Sequence, residues 1–563
     1  MPSKVYNINN QSLKLRMNKS LLFALVSSVL VLSTGCTNLD VDVKSQYTDY
    51  PTESEVALEA KMADVYYAFR KQLGENYNRV QSFSSDEVAG ISFGNDYYDN
   101  AENVNPTLHN FNPEDKPLNY WADLASGITK CNQVIKDLGG DNAKPEQIAP
   151  ARAMRAFYHF ILMDSFGDVP ILDCLPDDDE AVSREPRRKV AEFIETELKD
   201  CLPLLTKQVN VGTYGKPTRW MAEALLVKLY INWAVYTADN VADYDAATSP
   251  NEKLDECVRL CDDIMQNGPF DLTDGYRKKF LYDNGAQIKD FIYAMPYDKV
   301  SAQGMKYGRW RTFRKIDNGS PVGYLGGKMN KSCAGIFALN EEYSDLFTLP
   351  GDDRNEIILG ATTNGKVFVH DAITGEPTAV PYIYNGSQLV LSKKINLIDD
   401  SEAARQRINC GSSPAGWSQG YRSLKFYPNP NEYSEYERNQ SNDVPIFRLA
   451  DIILTKAEAL LRGARATNAD TPQSLLNQIR AYVHAPQFAG APSLQDILDE
   501  RGREFVDENW RRNDMIRFGT FENEYGFHRK GFPGARFDKS CRILPVPKAI
   551  MEENQNWDQN EGY

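Results

Sequence analysis

Between Ile446 and Leu461 the apolar residues recur at the helical period, and this constrains the fold more than any other feature of the chain. Ile446, Leu449, Ala450, Ile453, Ala457, Leu460 and Leu461 fall on one face, and Arg448, Asp451, Thr455, Glu458 and Arg462 on the other. Gly463 then ends the helix. The same reading predicts helices over Ala151–Ser165, Lys189–Leu205, Thr218–Tyr236, Glu252–Met265 and Leu494–Glu508. Ser493, with Asp496 three residues later, gives the last of these a capping-box start. A further helix begins at Trp121 and reaches Asn132.

Helices of this length, paired across short turns with Ala and Leu at the close contacts, predict a mostly α fold. The expected architecture is a tetratricopeptide-like scaffold of helical pairs, although no strict repeat of about 34 residues is visible. From Tyr297 to Tyr436 the amphipathic stripes give way to Gly, Asn, Ser and Tyr, apart from a short one near Leu339–Phe347. Lys366–His370 and Gln388–Ser392 read as short strands. A second loop-rich stretch runs from Gly90 to Pro117. The expected organisation is a scaffold over residues 50–296 and 437–563, carrying an irregular loop and short-strand insertion over 297–436. Long loops on a rigid frame are where binding residues concentrate.

The 563 residues carry a net charge of −15 and no basic block, which excludes a nucleic-acid partner, since phosphate binding needs a basic face. The N-terminus reads as a targeting segment over residues 1–35. Arg16 and Lys19 flank Met17, a plausible true start, and an apolar run from Leu21 to Leu32 leads to Gly35-Cys36. That run is shorter than the ~20 residues needed to span a bilayer. The other eight cysteines are scattered and make no disulfide ladder. Cys257 and Cys261 share a helix face but have no nearby His, so buried thiols are expected rather than a metal site.

A zinc protease and a nucleotide hydrolase find no motif in the chain. The five histidines form no HExxH, and no Walker loop is present. Glu500, Glu504 and Glu508 are spaced i,i+4 beside Arg501 and Arg511, the pattern of ion pairs between helices rather than of a glycosidase pair. No cofactor is implied. Structural calcium is conceivable at Asp239, Asp243 and Asp245 or at Asp177–Glu180, but neither cluster has EF-hand spacing, and solvated acidic turns are the expected reading.

Short motifs follow one another in a specific order. They are Arg155-Ala156-Phe157 with Phe166-Gly167-Asp168-Val169-Pro170, Gly215-Lys216-Pro217-Thr218, Pro445 to Leu461, and Arg480-Ala481. Glu500-Arg501 to Arg517 comes next, and Pro545-Val546-Pro547 leads to Gln559-Asn560-Glu561-Gly562-Tyr563. The series resembles the SusD/RagB family of outer-membrane nutrient-binding lipoproteins over most of the chain. Asn509 stands where the family has Gly, Asp451 where Glu is usual, and Glu561 where Pro is usual. The resemblance implies a lipid anchor at Cys36, with Asp40 and Asp42 marking export to the cell surface. It also implies glycan binding without catalysis, and hand-over to a SusC-like TonB-dependent outer-membrane transporter. A peptide-capturing relative and a surface glycosidase remain the alternatives.

Sugars need exposed aromatic platforms rimmed by polar groups. Trp220, Trp233 and Trp510 sit in helical motifs, Trp557 in the C-terminal motif and Trp121 at a helix start, leaving Trp310 and Trp417 in the insertion. Tyr307 and Arg311 flank Trp310, and Asp96, Tyr97 and Tyr98 lie in the earlier loop. Asp86 belongs to a Ser-Asp-Glu stretch that, in the family resembled, lies near the binding face. These eight residues are the expected ligand contacts.

Overall fold

The computed structural model describes residues 55–176, 181–311, 323–327, 331 and 333–563. The expected signal segment, Cys36 and the Asp177–Glu180 cluster lie outside them. The chain divides into Met1–Ala57 and Leu58–Tyr563, and the second unit holds all that follows.

The fold is predominantly helical. The principal helices are α1 (Asn76–Phe83), α2 (Tyr120–Asp137), α3 (Pro145–Phe166), α4 (Arg187–Cys201), α5 (Arg219–Ile231) and α6 (Leu254–Asn267). They continue with α7 (Leu449–Leu461), α8 (Pro472–Tyr482), α9 (Leu494–Phe505) and α10 (Arg511–Phe518). From α2 to α7 each helix packs on the next, and α7 also packs on α8 and α9, as stacked helical pairs do. Position in the stack decides composition. α3 is buried on every side from Ala153 to Phe166, whereas α6 turns Cys257, Val258, Cys261 and Ile264 inward and Asp255 and Arg259 outward. α5 starts on Thr218, whose hydroxyl accepts from Met221 N, and α9 on the Ser493–Asp496 capping box.

Several boundaries differ from the periodicity. Ile446–Arg448 belongs to strand β6 (Val444–Arg448), which pairs antiparallel with β2 (Phe291–Met295), so the helix begins at Leu449. Pro445 and the β-favouring Val444, Ile446 and Phe447 override the helical stripe there. Asp290 then caps α7, its main-chain oxygen accepting from Leu449 N and its carboxylate from Ala450 N. The predicted Thr218–Tyr236 helix breaks at Asn232, and α9 stops at Phe505, short of Glu508. Asp507 and Asn509 follow with φ of 65° and 70°, the left-handed backbone that the Asn in place of Gly tolerates. In the irregular segment β1 (Val88–Gly90) pairs with β3 (Phe337–Leu339), and β4 (Phe368–His370) with β5 (Pro377–Pro381). The predicted Gln388–Ser392 strand is reduced to Ser387–Gln388 and isolated bridges at Val390 and Ser392.

A buried network of charge joins the halves of the stack. Glu500 meets Arg354 at 2.6 Å, Arg503 at 2.9 Å and Arg480 at 3.0 Å. Arg448 reaches Asp290 at 2.6 Å, Glu504 at 2.9 Å and Glu508 at 2.7 Å. Beside them Asp451 binds Lys228 and Arg501, and Asp514 binds Arg501 at 2.8 Å and Arg517 at 2.7 Å. The three glutamates of the i,i+4 series are therefore held by cations and face no solvent.

Near the C-terminus, residues 543–560 return to α3. Gly167 ends that helix with φ 78°, and a Cβ there would stand 2.9 Å from Ile543. Leu544 N donates to Ser165 O, Asn560 Nδ2 donates to Phe166 O and Leu544 O, and Arg184 holds Asp558 O and Asn560.

Among the described residues no cluster of three metal-ligating side chains occurs. Asp243 and Asp245 are engaged in capping backbone N–H groups, and Asp239 lies 3.4 Å from Arg188. Seven of the eight described cysteines are buried, Cys257 and Cys261 among them as expected, and Cys174 is exposed.

Candidate functional site

The loop after β1 is held against the 407–412 segment by backbone bonds. Ser92 N donates to Ile408 O, Cys410 N donates to Ser92 O, and Gly94 N donates to the Asn409 side chain at 2.7 Å. Beyond this anchor Tyr97, Asp99, Asn100 and Ala101 have φ of 63°, 43°, 55° and 71°. A left-handed backbone costs a non-glycine residue about 1–2 kcal/mol. Such conformations persist where surrounding bonds over-determine them, and they concentrate at ligand sites. Here Asn103 Nδ2 donates to Tyr97 O at 2.9 Å, and Arg79 of α1 donates to Asn103 Oδ1 at 2.5 Å.

This anchoring puts Tyr98, half-exposed, under the guanidinium of Arg407, 4.6 Å from the ring centroid. Arg407 also donates to Asn95 Oδ1 at 3.3 Å. Asn95, Asp96 and Ser412 are exposed on these two segments, and Tyr97 packs edge-on against Phe93. Trp417, half-buried, ends the short helix Pro414–Trp417. That helix is pressed onto Cys410 and Gly411, and a Cβ on Gly416 would stand 2.3 Å from both of their carbonyl oxygens. Asp96, Tyr97 and Tyr98 thus lie on a loop pinned to the 407–412 segment, and Trp417 ends the helix seated on that same segment.

The other expected contacts lie elsewhere. Trp310 is 5% exposed, sandwiched between the guanidinium groups of Arg79 at 4.8 Å and Arg309 at 4.4 Å. It stands behind the tyrosine loop, linked to it through Arg79 and Asn103, and presents no open face. Its neighbours are buried too, because the Tyr307–Arg311 helical turn packs inward. Tyr307 meets Phe426 edge-on, and Arg311 binds Asp507 at 2.7 Å and Asn78 at 2.8 Å. Tyr307, Trp310 and Arg311 are accordingly corrected from platform to supporting wall. Asp86 accepts both arms of Arg511, at 2.7 and 2.8 Å, which satisfies its carboxylate within the frame. Next to it burial pushes the Glu87 carboxyl up to about 8, with Asp507 and Asp86 adding to the effect.

Sequence reasoning missed Arg407 and Asn409. Only the spatial pairing of two loops more than 300 residues apart brings them to the tyrosine loop.

The architecture and the motifs match known proteins. Residues 289–563 match the SusD family model, and residues 39–231 match the model described as starch-binding associating with outer membrane. The starch-binding protein SusD of Bacteroides thetaiotaomicron is 24% identical over 462 residues, covering 79% of this chain and 78% of that protein. Among solved structures, a laminarin-binding SusD-like protein superposes with a TM-score of 0.66 at 22% identity, covering 91% of this chain and all of its own. Surface glycan-binding protein A from Bacteroides thetaiotaomicron, in complex with laminarihexaose, gives 0.66 at 18% identity, covering 90% of this chain and 99% of that one. With two family models spanning most of its length and the motifs between them in order, the chain belongs to the SusD family.

Proposed function

We propose that this protein is a cell-surface lipoprotein that binds an oligo- or polysaccharide and passes it, unhydrolysed, to a SusC-like TonB-dependent transporter in the outer membrane. The observation that carries the binding is the Tyr97–Tyr98 loop, held in a left-handed backbone, with Arg407 over the Tyr98 ring and bonded to Asn95. Aromatic faces take the C–H side of a pyranose, and the amides and the guanidinium take its hydroxyls. The glycan-binding names of the relatives support the ligand class. The transporter follows from family membership, and removal of residues 1–35 from the signal-like run that leads to Gly35-Cys36.

A panel of immobilised glycans with purified protein tests the reading. Retention by at least one polysaccharide, with no new reducing ends released over hours, is the expected result. Reducing-end release, or retention by peptides alone, overturns it. Anchoring has its own check, because two acyl chains suffice for stable membrane attachment. A Cys36→Ala chain should leave the membrane fraction or stay unprocessed, and a variant still labelled at the membrane surface removes the lipid from the proposal.

A further inference from the structure

Asn103 stands where the frame meets the tyrosine loop. It is 1% exposed and lies against Gly90 of β1, so closely that a Cβ on Gly90 would stand 2.3 Å from Asn103 O. The Thr107 hydroxyl donates to Asn103 O at 3.0 Å and accepts from Gly90 N at 2.9 Å, which fixes the Asn103 backbone on the strand. Its carboxamide is held as firmly. Arg79 only donates, so the amide edge turned towards it is the oxygen. Nδ2 is left for Tyr97 O, the carbonyl of the planar peptide unit that joins Tyr97 to Tyr98. Arg79 is itself buried, stacked on Trp310 and 3.9 Å from Glu102. Within the loop the bonds are local, Ala101 N donating to Tyr98 O and Glu102 N to Asp99 O. The Asn103 carboxamide ties them to α1.

We infer that Asn103 is a positioning residue for glycan binding: held by Arg79 on one side and bonded to Tyr97 O on the other, its carboxamide keeps the Tyr98 ring presented before a sugar arrives. The inference rests on the tyrosine loop being the glycan site. A loop free to leave this conformation binds only in the fraction of time it holds it, and the apparent affinity falls by that fraction. Asn103→Asp isolates the bond. The carboxylate matches the amide in shape and keeps Arg79, now as an ion pair, but sets an oxygen against Tyr97 O. The left-handed residues then relax, and the strain released offsets the bond lost, so the fold keeps its stability.

Affinity electrophoresis through native gels containing soluble starch, laminarin, xylan, mannan, polygalacturonate or alginate tests this, beside thermal melts and hydrogen exchange of the free proteins. At least one polymer should retard the wild type. Asn103→Asp should bind that polymer at least about tenfold more weakly and melt within about 2 °C of the wild type. The amides of Ala101 and Glu102 should be protected in the wild type and exchange at least about tenfold faster in the variant, with the helices unchanged. Unprotected amides in the wild type overturn the inference, whether or not the variant folds. So does a weakened variant that melts far lower and exchanges faster throughout, which makes Asn103 structural only. Wild-type affinity in Asn103→Asp, with Tyr98→Ala weakened, overturns the inference and leaves the tyrosine platform standing. Wild-type affinity in both variants removes the platform, and this inference with it. Retardation of the wild type by no polymer overturns the glycan reading itself.

Discussion

Asp514→Ala is expected to destabilise the protein by about 3–5 kcal/mol, the usual result of removing one partner from a buried ion pair. The carboxylate is 1% exposed and answers two guanidinium groups, those of Arg501 and Arg517. Arg501 also binds Asp451, and Arg517 also binds Glu458, so the loss reaches both α7 and α9. The urea midpoint and the melting temperature should fall together, with glycan affinity of the folded fraction unchanged. Full stability with lost binding would instead make Asp514 a ligand residue. Acid should produce the same weakening in the wild type. Burial opposes ionisation of Asp290, but Lys279 and Arg448 overcome it and hold its pKa at about 2, against 3.8 unperturbed. Glu500 is likewise held at about 2, against 4.5, by Arg354, Arg503 and Arg480 despite burial. These folded values lie below the unfolded ones, so the stabilisation is complete above about pH 4.5 and is lost as the pH falls towards 2. Thermal melts across that window check the sign. A protein that grows more stable on acidification contradicts it.

Tyr98→Ala is expected to weaken glycan binding more than tenfold while leaving the fold intact. An aromatic anchor typically contributes about 2 kcal/mol or more on truncation, and about 1.4 kcal/mol is a factor of ten. Tyr98 is half-exposed and orders little besides Arg407, so the variant should melt near the wild-type temperature. Trp310→Ala makes the contrast. Its ring is buried between two arginines, and truncating such a residue costs about 3–5 kcal/mol of stability. The two variants therefore separate a platform from a wall. Calorimetric titration with the best glycan of the panel, beside a melt of each protein, reads both quantities. Unchanged affinity in Tyr98→Ala would move the platform to Trp417.

The helical scaffold was legible because burial writes a period into the chain. α4 and α6 bury one face and expose the other, so their stripes give their positions to within a few residues. α1 and α10 were not found, because almost every residue of each is buried, including Arg79, Arg511 and Arg517, and polar residues inside a frame erase the stripe. Strand β6 was misread as helix because its apolar residues continue the stripe of α7, and its pairing with β2 is a contact 150 residues away. The proposed binding face was legible in part. Composition singled out two irregular segments, and the structure pins one to the other where Ser92 N donates to Ile408 O. Composition could not tell an aromatic on the surface from one wedged between arginines, and that is what separates Tyr98 from Trp310. Arg407 carried no signal at all, since it gains its place from Ser92 and Asn409.

The return of residues 543–560 to α3 sets an order of events for a newly made chain. The carbonyl of Phe166 waits for Asn560, a residue 394 positions later, and Arg184 waits for Asp558. Contacts this distant in sequence slow folding, because a long loop must close before they repay its entropy. A polypeptide emerging N-terminus first cannot satisfy the end of α3 until residues 543–560 have been made. Cleavage ahead of residue 543 would therefore leave the carbonyls of Ser165 and Phe166 without these partners and that helix end open to proteases.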